Sequence, residues 1–379
     1  MDFDLTDEQR AIQATAAAFA AEALAPHSAR WDEEKHFPLE TLRQAAGLGF
    51  AAMYVREASG GTGLGRLEAA IAFEALAAGD VAMAAYLSIH NMCAWMIDRF
   101  GSDEQRARYL PRLATMELAA AYCLTEPDSG SDAAALATRA ERRGEAYVLN
   151  GAKAFISGGG VADLYLVMAR TGGPGPKGIS AFLVEKGAPG LSFGAQERKL
   201  GWNAQPTAQV NFDDCRVPAA HRLGGEGEGF GFAMAGLDGG RVNIAACSLG
   251  GAQLALQTAQ AHLAERRQFG QPLAAFQGLQ WRLADMATEL EAARLMVRRA
   301  AFALDRGDPR ATQLCAMAKR FATDAGFQVA NQALQLHGGY GYLKDYPLER
   351  IVRDLRVHQI LEGTNEIMRV IIARELLRP

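Results

Sequence analysis

The stretch Leu124-Thr-Glu-Pro-Asp-Ser-Gly-Ser-Asp132 divides the chain into two kinds of sequence. An apolar lead-in, Ala119-Ala-Ala-Tyr122, runs into it, and an Ala-rich stretch follows. Thr125, Ser129, Gly130 and Ser131 offer hydroxyl groups and close-approaching amides. Such a loop can cradle a phosphate or the polar edge of a ring. It can equally be a turn-rich entry to a new domain. The residues of the loop leave both readings open.

Upstream, the patterns are helical. Thr6 and Gln9 form a capping-box pair ahead of "AIQATAAAFAAEALA", and Pro26 marks a stop. "RLEAAIAFEALAAG" and "VAMAAYLSIHNMCAWMIDRFG" read as two further helices, the second closing at Gly101. Ser102 and Gln105 suggest another capping box.

Downstream, the pattern changes. Between Ala119 and Pro218, "YVLNGAKAFISGG", "DLYLVMARTG", "GISAFLVEK" and "AQVNFDDCRV" are short strand candidates separated by Gly and Pro turns. The last third is helical again. Leu279, Leu283, Met286, Leu290, Ala293 and Val297 alternate in spacings of four and three, an apolar seam suited to a bundle. "TQLCAMAKRFATDAGFQVANQALQL" supplies a partner helix. The expected organisation is an α+β chain with an N-terminal helical domain (1–118), a middle β domain (119–220) and a C-terminal helical domain (221–379).

Bulk properties exclude several classes. The chain has 379 residues, 39 Lys and Arg against 43 Asp and Glu, and a formal charge of −4. That balance exerts no global pull on nucleic acid or anionic membrane. No run reaches the roughly 20 apolar residues of a membrane span. The acidic stretch Met1–Arg10 resembles neither a signal nor a transit peptide. The five cysteines are widely spaced and contain no Cys-x-x-Cys, which favours a reducing compartment over a disulfide framework or a zinc site. The expectation is a soluble cytoplasmic protein without a metal. Gly173, Gly175 and Gly178 match G-x-G-x-x-G, but the segment leads into a strand candidate rather than a helix, so it reads as a hairpin loop.

Two further segments carry candidate chemistry. "QLHGGYGY" (Gln335–Tyr342) follows a long helix, with a glycine pair suited to a helix cap. "ILEGTNEI" (Ile360–Ile367) sets Glu362 among apolar residues. A carboxylate in that setting has a raised pKa and can act as a base near neutrality. A solvated or paired carboxylate is the commoner case.

Taken together, the segments 124–132, 155–157, 238–241, 335–341 and 360–366 occur in an order and spacing that resembles the acyl-CoA dehydrogenases, FAD enzymes that introduce an α,β double bond into acyl-CoA thioesters. The resemblance spans essentially the whole chain. "SIHNMCAWMID", "KLGWNAQPTAQVNFDDCRVP", "NIAACSLG", "LADMAT" and "HGGYGYLKDYPLERIVRDLRVHQILEGTNEIMR" are similar to the branch that acts on short branched thioesters. It implies a middle β-barrel-like domain, a C-terminal four-helix bundle, a homotetramer and an electron-transferring flavoprotein as acceptor. Action on 2-methylbutyryl-CoA or butyryl-CoA, or a flavin oxidase of the same fold, is the alternative within it.

Residue by residue, the resemblance implies the following roles. Glu362 is the catalytic base, and Gly240 occupies the position from which some relatives supply theirs. Tyr122, Leu124, Thr125, Gly130, Ser131, Phe155, Ile156 and Ser157 line the flavin, with Ser131 also touching substrate. Asp128 stands where the family motif has Gly, and Phe155 where many relatives have Trp. Arg266 pairs with phosphate in a site for the FAD pyrophosphate and adenine reached across a subunit interface, with Phe269, Phe276 and Gln277 nearby, and Gln335, Leu336, His337, Gly338 and Gly339 also bind the cofactor. Thr364, Asn365 and Glu366 contact the adenosine or flavin side. Asp238, Gly239, Gly240, Arg241, Gly363 and Arg374 lie on the substrate side, and Tyr86 to Trp95 lines the acyl pocket.

Overall fold

The computed structural model describes residues 4–377; Met1 to Phe3, which open the acidic N-terminal stretch, and the last two residues lie outside the described part. Among the described residues no helix is long and apolar enough to cross a membrane.

The chain begins with α1 (Asp7–Phe19), α2 (Ser28–Glu34), α3 (Leu39–Gly47), α4 (Arg66–Ala77), α5 (Val81–Phe100) and α6 (Asp103–Ala114). Their ends are written locally. The Thr6 hydroxyl accepts from the Gln9 amide at 3.2 Å while the Gln9 side chain accepts from the Thr6 amide at 3.1 Å. Ser102 and Gln105 repeat the device at α6. Asp80 caps α5 by accepting from Met83 N at 2.9 Å, and Gly101 closes that helix. Each such cap satisfies amides that the helix itself cannot.

The strands are β1 (Ala120–Cys123), β2 (Arg139–Arg143), β3 (Ala146–Ser157), β4 (Leu164–Arg170), β5 (Ile179–Glu185), β6 (Leu191–Gln196), β7 (Thr207–Pro218) and β8 (Arg222–Leu223). They form one sheet in the order β6-β7-β3-β2-β4-β5-β8, with β1 parallel to β4. The Gly173–Gly178 segment is the hairpin between antiparallel β4 and β5. β4 and β5 are buried along nearly their whole length, which explains their unbroken apolar runs.

The C-terminal part opens with α7 (Gly229–Glu265), a 37-residue helix through the centre of the molecule. A small hairpin, β9 (Arg267–Gln268) with β10 (Gln271–Pro272), leads to α8 (Gln277–Arg306), α9 (Ala311–Leu336), α10 (Leu348–His358) and α11 (Asn365–Leu376). The α8 seam is buried at Met286, Leu290, Ala293 and Val297, with Leu279 and Leu283 partly covered. α7, α8 and α9 pack together, and α10 and α11 lie against α9. All five cysteines are buried and unpaired.

One irregularity in the sheet explains how the Leu124–Asp132 loop is held. The β3–β7 register shifts between Lys153↔Val210 and Ile156↔Ala208, so Ala154 and Phe155 bulge out of the ladder. Bulges re-aim side chains and release backbone groups. Here the freed Ala154 amide donates to the Thr125 carbonyl at 2.9 Å. Beside it, the fully buried Lys153 ammonium donates to Glu126 at 2.7 Å and to the Leu124 carbonyl at 3.1 Å. Glu126 also accepts from the Ala137 and Thr138 amides at 2.6 and 3.0 Å. The ion pair therefore staples the loop to β3 from beneath.

Stranding one partner of a buried ion pair costs about 3–5 kcal/mol, whereas replacing both by apolar groups is often near neutral. Lys153→Met should lose stability of that order, and Lys153→Met/Glu126→Leu should regain most of it, as read by equilibrium unfolding of the three proteins. Equal losses in the single and double variants would show that the two side chains do not act as a pair.

Candidate active site

Glu362 lies in the turn between α10 and α11, and its backbone is left-handed at φ +55°, followed by Gly363 at +91°. A non-glycine residue in that region is disfavoured and persists only where its surroundings fix it. Here two buried cations do so. Arg241, on α7, donates through Nε to the Glu362 carbonyl at 3.2 Å. Lys319, on α9, donates through Nζ to the Gly363 carbonyl at 2.8 Å.

The turn folds the Glu362 side chain back over α7 at the one residue that leaves room for it. A Cβ built on Gly240 would lie 2.5 Å from Glu362 Oε2. Oε2 is shut away from water and has no hydrogen-bond partner. Burial drives the carboxyl pKa up from 4.5 to about 7, against the downward pull of Arg241 and Lys319. Desolvation disfavours the charged form more than the two cations favour it.

The surroundings are aromatic and polar. Arg241 is held by Asp238 at 2.7 Å, and Asp238 accepts from Thr312 at 2.6 Å. The Tyr122 hydroxyl is buried without a partner, and burial, Cys93 and Glu362 keep it protonated. Arg66 is only 7 % exposed and lies over the rings of Tyr54 and Trp95 at 3.7 and 4.6 Å. Tyr54 accepts from Asn243 at 3.0 Å. From the Tyr86–Trp95 segment, Met92 approaches α7 at Gly236, while Tyr86 turns away to pack edge-on against Phe37 at 4.8 Å.

The other predicted residues fall into two further groups. In the first, Leu124 and Ile156 are buried, Thr125 and Ser157 are partly covered, and Gly130 and Ser131 are open. Phe155 sits in the bulge at φ +58°, with 67 % of its surface exposed. In the second, the β9–β10 hairpin meets the end of α9. His262 stacks on His337 at 4.1 Å, and Arg266 lies 5.4 Å from the Tyr340 ring. Phe269 there is 92 % exposed, with Phe276 6.1 Å away, ring to ring; Gln277, Gln335, Gly338 and Gly339 are open, and Leu336 is buried.

Profiles of the acyl-CoA dehydrogenase N-terminal, middle and C-terminal domains match residues 6–117, 121–215 and 227–377. "Isobutyryl-CoA dehydrogenase, mitochondrial" of Bos taurus is 60 % identical over 374 residues, 99 % of this chain and 90 % of that protein. The chain belongs to the acyl-CoA dehydrogenase family. The protein of the same description from Dictyostelium discoideum is 57 % identical over 98 % of this chain and 90 % of its own length. A solved chain described as "Electron transferring flavoprotein of Acidaminococcus fermentans: Towards a mechanism of flavin-based electron bifurcation" matches at TM-score 0.98 and 44 % identity, covering all of both chains.

As an acyl-CoA dehydrogenase, the chain is a FAD-dependent oxidoreductase acting on acyl-CoA. Its residues fit that group. A large aromatic held two-thirds exposed on a bulge, beside a hydroxyl-rich loop, suits the face of a planar ring system. The exposed Arg266 suits a phosphate.

Some predicted residues of this acyl-CoA dehydrogenase also have work within the fold. Thr364 caps α11 by accepting from Ile367 N at 3.3 Å. Asn365 is buried, donating to Thr323 at 2.9 Å and Asp324 at 2.7 Å. Glu366 and Arg374 are exposed and pair with Arg369 and Glu375. The sequence reading missed Lys319, Arg66, Tyr54, Asn243 and the Glu126–Lys153 pair. Lys319 alone carried a signal, as a cation in an otherwise apolar helical face.

Two outcomes follow from the packing around Glu362. Gly240→Ala pushes a methyl into the carboxylate and should slow substrate-dependent flavin reduction about 10²-fold, as misplacement near 1 Å does. The raised pKa gives Glu362 a stability contribution that is full below about 4.5 and lost as pH rises through about 7. Glu362→Gln should therefore be more stable than wild type at about pH 8, with the advantage shrinking toward pH 4.5; thermal unfolding across that range reads it.

Proposed function

We propose that the protein dehydrogenates isobutyryl-CoA to methacrylyl-CoA, as a step of valine degradation, with Glu362 as the base that removes the α-proton. The observation that carries the reading is a half-buried carboxyl group, titrating near neutrality, whose Oε2 lies above a glycine out of reach of water and of any donor. A base near the working pH combines availability with driving force. The similarity to proteins described as isobutyryl-CoA dehydrogenase supports the acyl group.

FAD, when bound, would supply the two-electron acceptor. The other tasks belong to the chain. Glu362 Oε2, lacking any donor, takes up the α-proton and holds it on the carboxyl. The Glu362 amide, fixed by the left-handed turn, is the donor assigned to the thioester oxygen as negative charge develops there. Tyr122, Tyr54 and the Met92–Trp95 face of α5 exclude water from the acyl group. Arg241 and Asp238 brace the turn from the substrate side. The Leu124–Ser131 loop and Phe155–Ser157 would hold the flavin ring, and the Arg266–Gln277 and Gln335–Gly339 segments would hold the rest of the cofactor, in a homotetramer.

The electron acceptor is assigned as an electron-transferring flavoprotein, supported by the likeness to the Acidaminococcus fermentans chain. The change from helix to strand and back supports boundaries at 118/119 and 220/221. The unpaired buried cysteines support a reducing compartment, taken as the cytoplasm.

Glu362→Gln should retain FAD and bind isobutyryl-CoA, while anaerobic bleaching of its flavin slows by about 10² to 10⁴. Normal bleaching in that variant sinks the assignment of the base. Rates across isobutyryl-, 2-methylbutyryl- and butyryl-CoA test the substrate, where one methylene is worth only about 1–3 kcal/mol.

A further inference from the structure

Behind the Glu362–Gly363 turn lies a lysine with no solvent exposure. Besides the Gly363 carbonyl, Lys319 Nζ donates to Asn365 Oδ1 at 2.9 Å. Asn365 is fixed in turn by Thr323 and Asp324, the residues one turn further along α9, and its amide donates to the Gln359 carbonyl at 3.0 Å. Gln359 donates to the same Asp324 carboxylate at 2.8 Å. One face of α9 thus grips both ends of the turn that carries Glu362.

We propose that Lys319 is a positioning residue for the reaction: its ammonium fixes the left-handed Glu362–Gly363 turn and is the second positive charge that keeps the Glu362 carboxylate available as a base. The inference rests on Glu362 being that base. Glu362 and Gly363 are consecutive residues at positive φ, and each carbonyl accepts from a different buried cation. Arg241 braces the turn from α7 and Lys319 from α9, so neither hydrogen bond substitutes for the other. With both carbonyls drawn back toward α7 and α9, the orientation of the Glu362 amide and side chain is set.

A buried lysine serving only to hold backbone is an expensive choice, since desolvating an ammonium is costly and a neutral donor could make the same two bonds. The charge has a use in the field it creates at Glu362. The charged and titratable groups around that carboxylate are Arg241 and Cys247 from α7, Lys319 from α9, and Tyr54 and Tyr122 from the opposite side. Of these only Arg241 and Lys319 are cations. Lys319 itself faces Glu362, Arg241, Asp324, Glu366 and His358. Burial lowers its pKa from 10.5 to about 8, which still leaves it mostly charged at neutral pH.

The test is stopped-flow reduction of the FAD-loaded enzyme by isobutyryl-CoA, as a function of pH, in wild type, Lys319→Met, Lys319→Gln and Lys319→Arg. In Lys319→Met the limiting rate should fall about 10- to 100-fold with little change in half-saturation. The midpoint of the rising limb should move up by about one pH unit or more, as expected for removal of a nearby opposite charge. Lys319→Gln, which keeps the donors without the charge, should show the same shift with a smaller loss of rate, and it carries the test if Lys319→Met does not fold. Lys319→Arg should return the midpoint to its wild-type value. A lower rate with an unmoved midpoint in both neutral variants, or wild-type behaviour in either, overturns the proposal. Flavin content and thermal unfolding, read on the same samples, separate loss of fold from loss of positioning. Failure of the base assignment itself appears separately, as normal bleaching in Glu362→Gln.

Discussion

A carboxylate that is to accept a proton near pH 7 must be kept from water and from hydrogen-bond donors, yet remain chargeable. Gly240 is what permits this here. With no side chain at that point of α7, the Glu362 carboxyl can lie against the helix, where its Oε2 meets neither solvent nor a donor. The two cations that face it are engaged with carbonyl oxygens of its own turn. They act on the carboxylate through space, moderating its raised pKa without quenching its basicity by a direct bond. The glycine, the left-handed turn and the two cations form one arrangement, and each is meaningful only beside the others.

The same economy recurs at the sheet. The bulge at Ala154–Phe155 turns an aromatic outward and frees an amide, and that amide ties down the Leu124–Asp132 loop. Lys153 and Glu126 hold the loop from below. The polar residues that made the segment conspicuous therefore divide their work. Glu126 and Ser129 fix the loop internally, the Ser129 hydroxyl donating to the Asp132 carbonyl at 2.7 Å, while Gly130 and Ser131 stay open.

The features legible in the sequence were those encoded within a few residues. The capping boxes at Thr6 and Ser102, the stop at Gly101 and the α8 seam depend on neighbours three or four positions apart, and all are present. Glu362 stood out because apolar residues flank it, and the fold does shut its Oε2 away from water. Its contacts with Arg241 and Lys319 were illegible for the complementary reason. Lys319 reaches Gly363 across 44 positions and Arg241 reaches Glu362 across 121; the apolar face around Lys319 announces burial, but neither helix names the turn it contacts. The same holds for Arg66, whose guanidinium was an ordinary helix-start cation until Tyr54 and Trp95 enclosed it. Asn365 illustrates the converse. Its motif suggested a ligand contact, and nothing local announced that its side chain also bonds to α9.

The five thiols bear on how the molecule opens. Each is buried and unpaired, and burial pushes all five above the ordinary cysteine range; Cys215, on β7, is raised least, to about 11. The sulfhydryls are spread over α5, β1, β7, α7 and α9, so they sample the helical parts and the sheet alike. A thiol-reactive dye finds no anionic sulfur in the native state and must wait for a segment to unfold. Labelling rates resolved by cysteine would then report, without any introduced probe, whether the sheet and the two helical layers come apart together or in sequence.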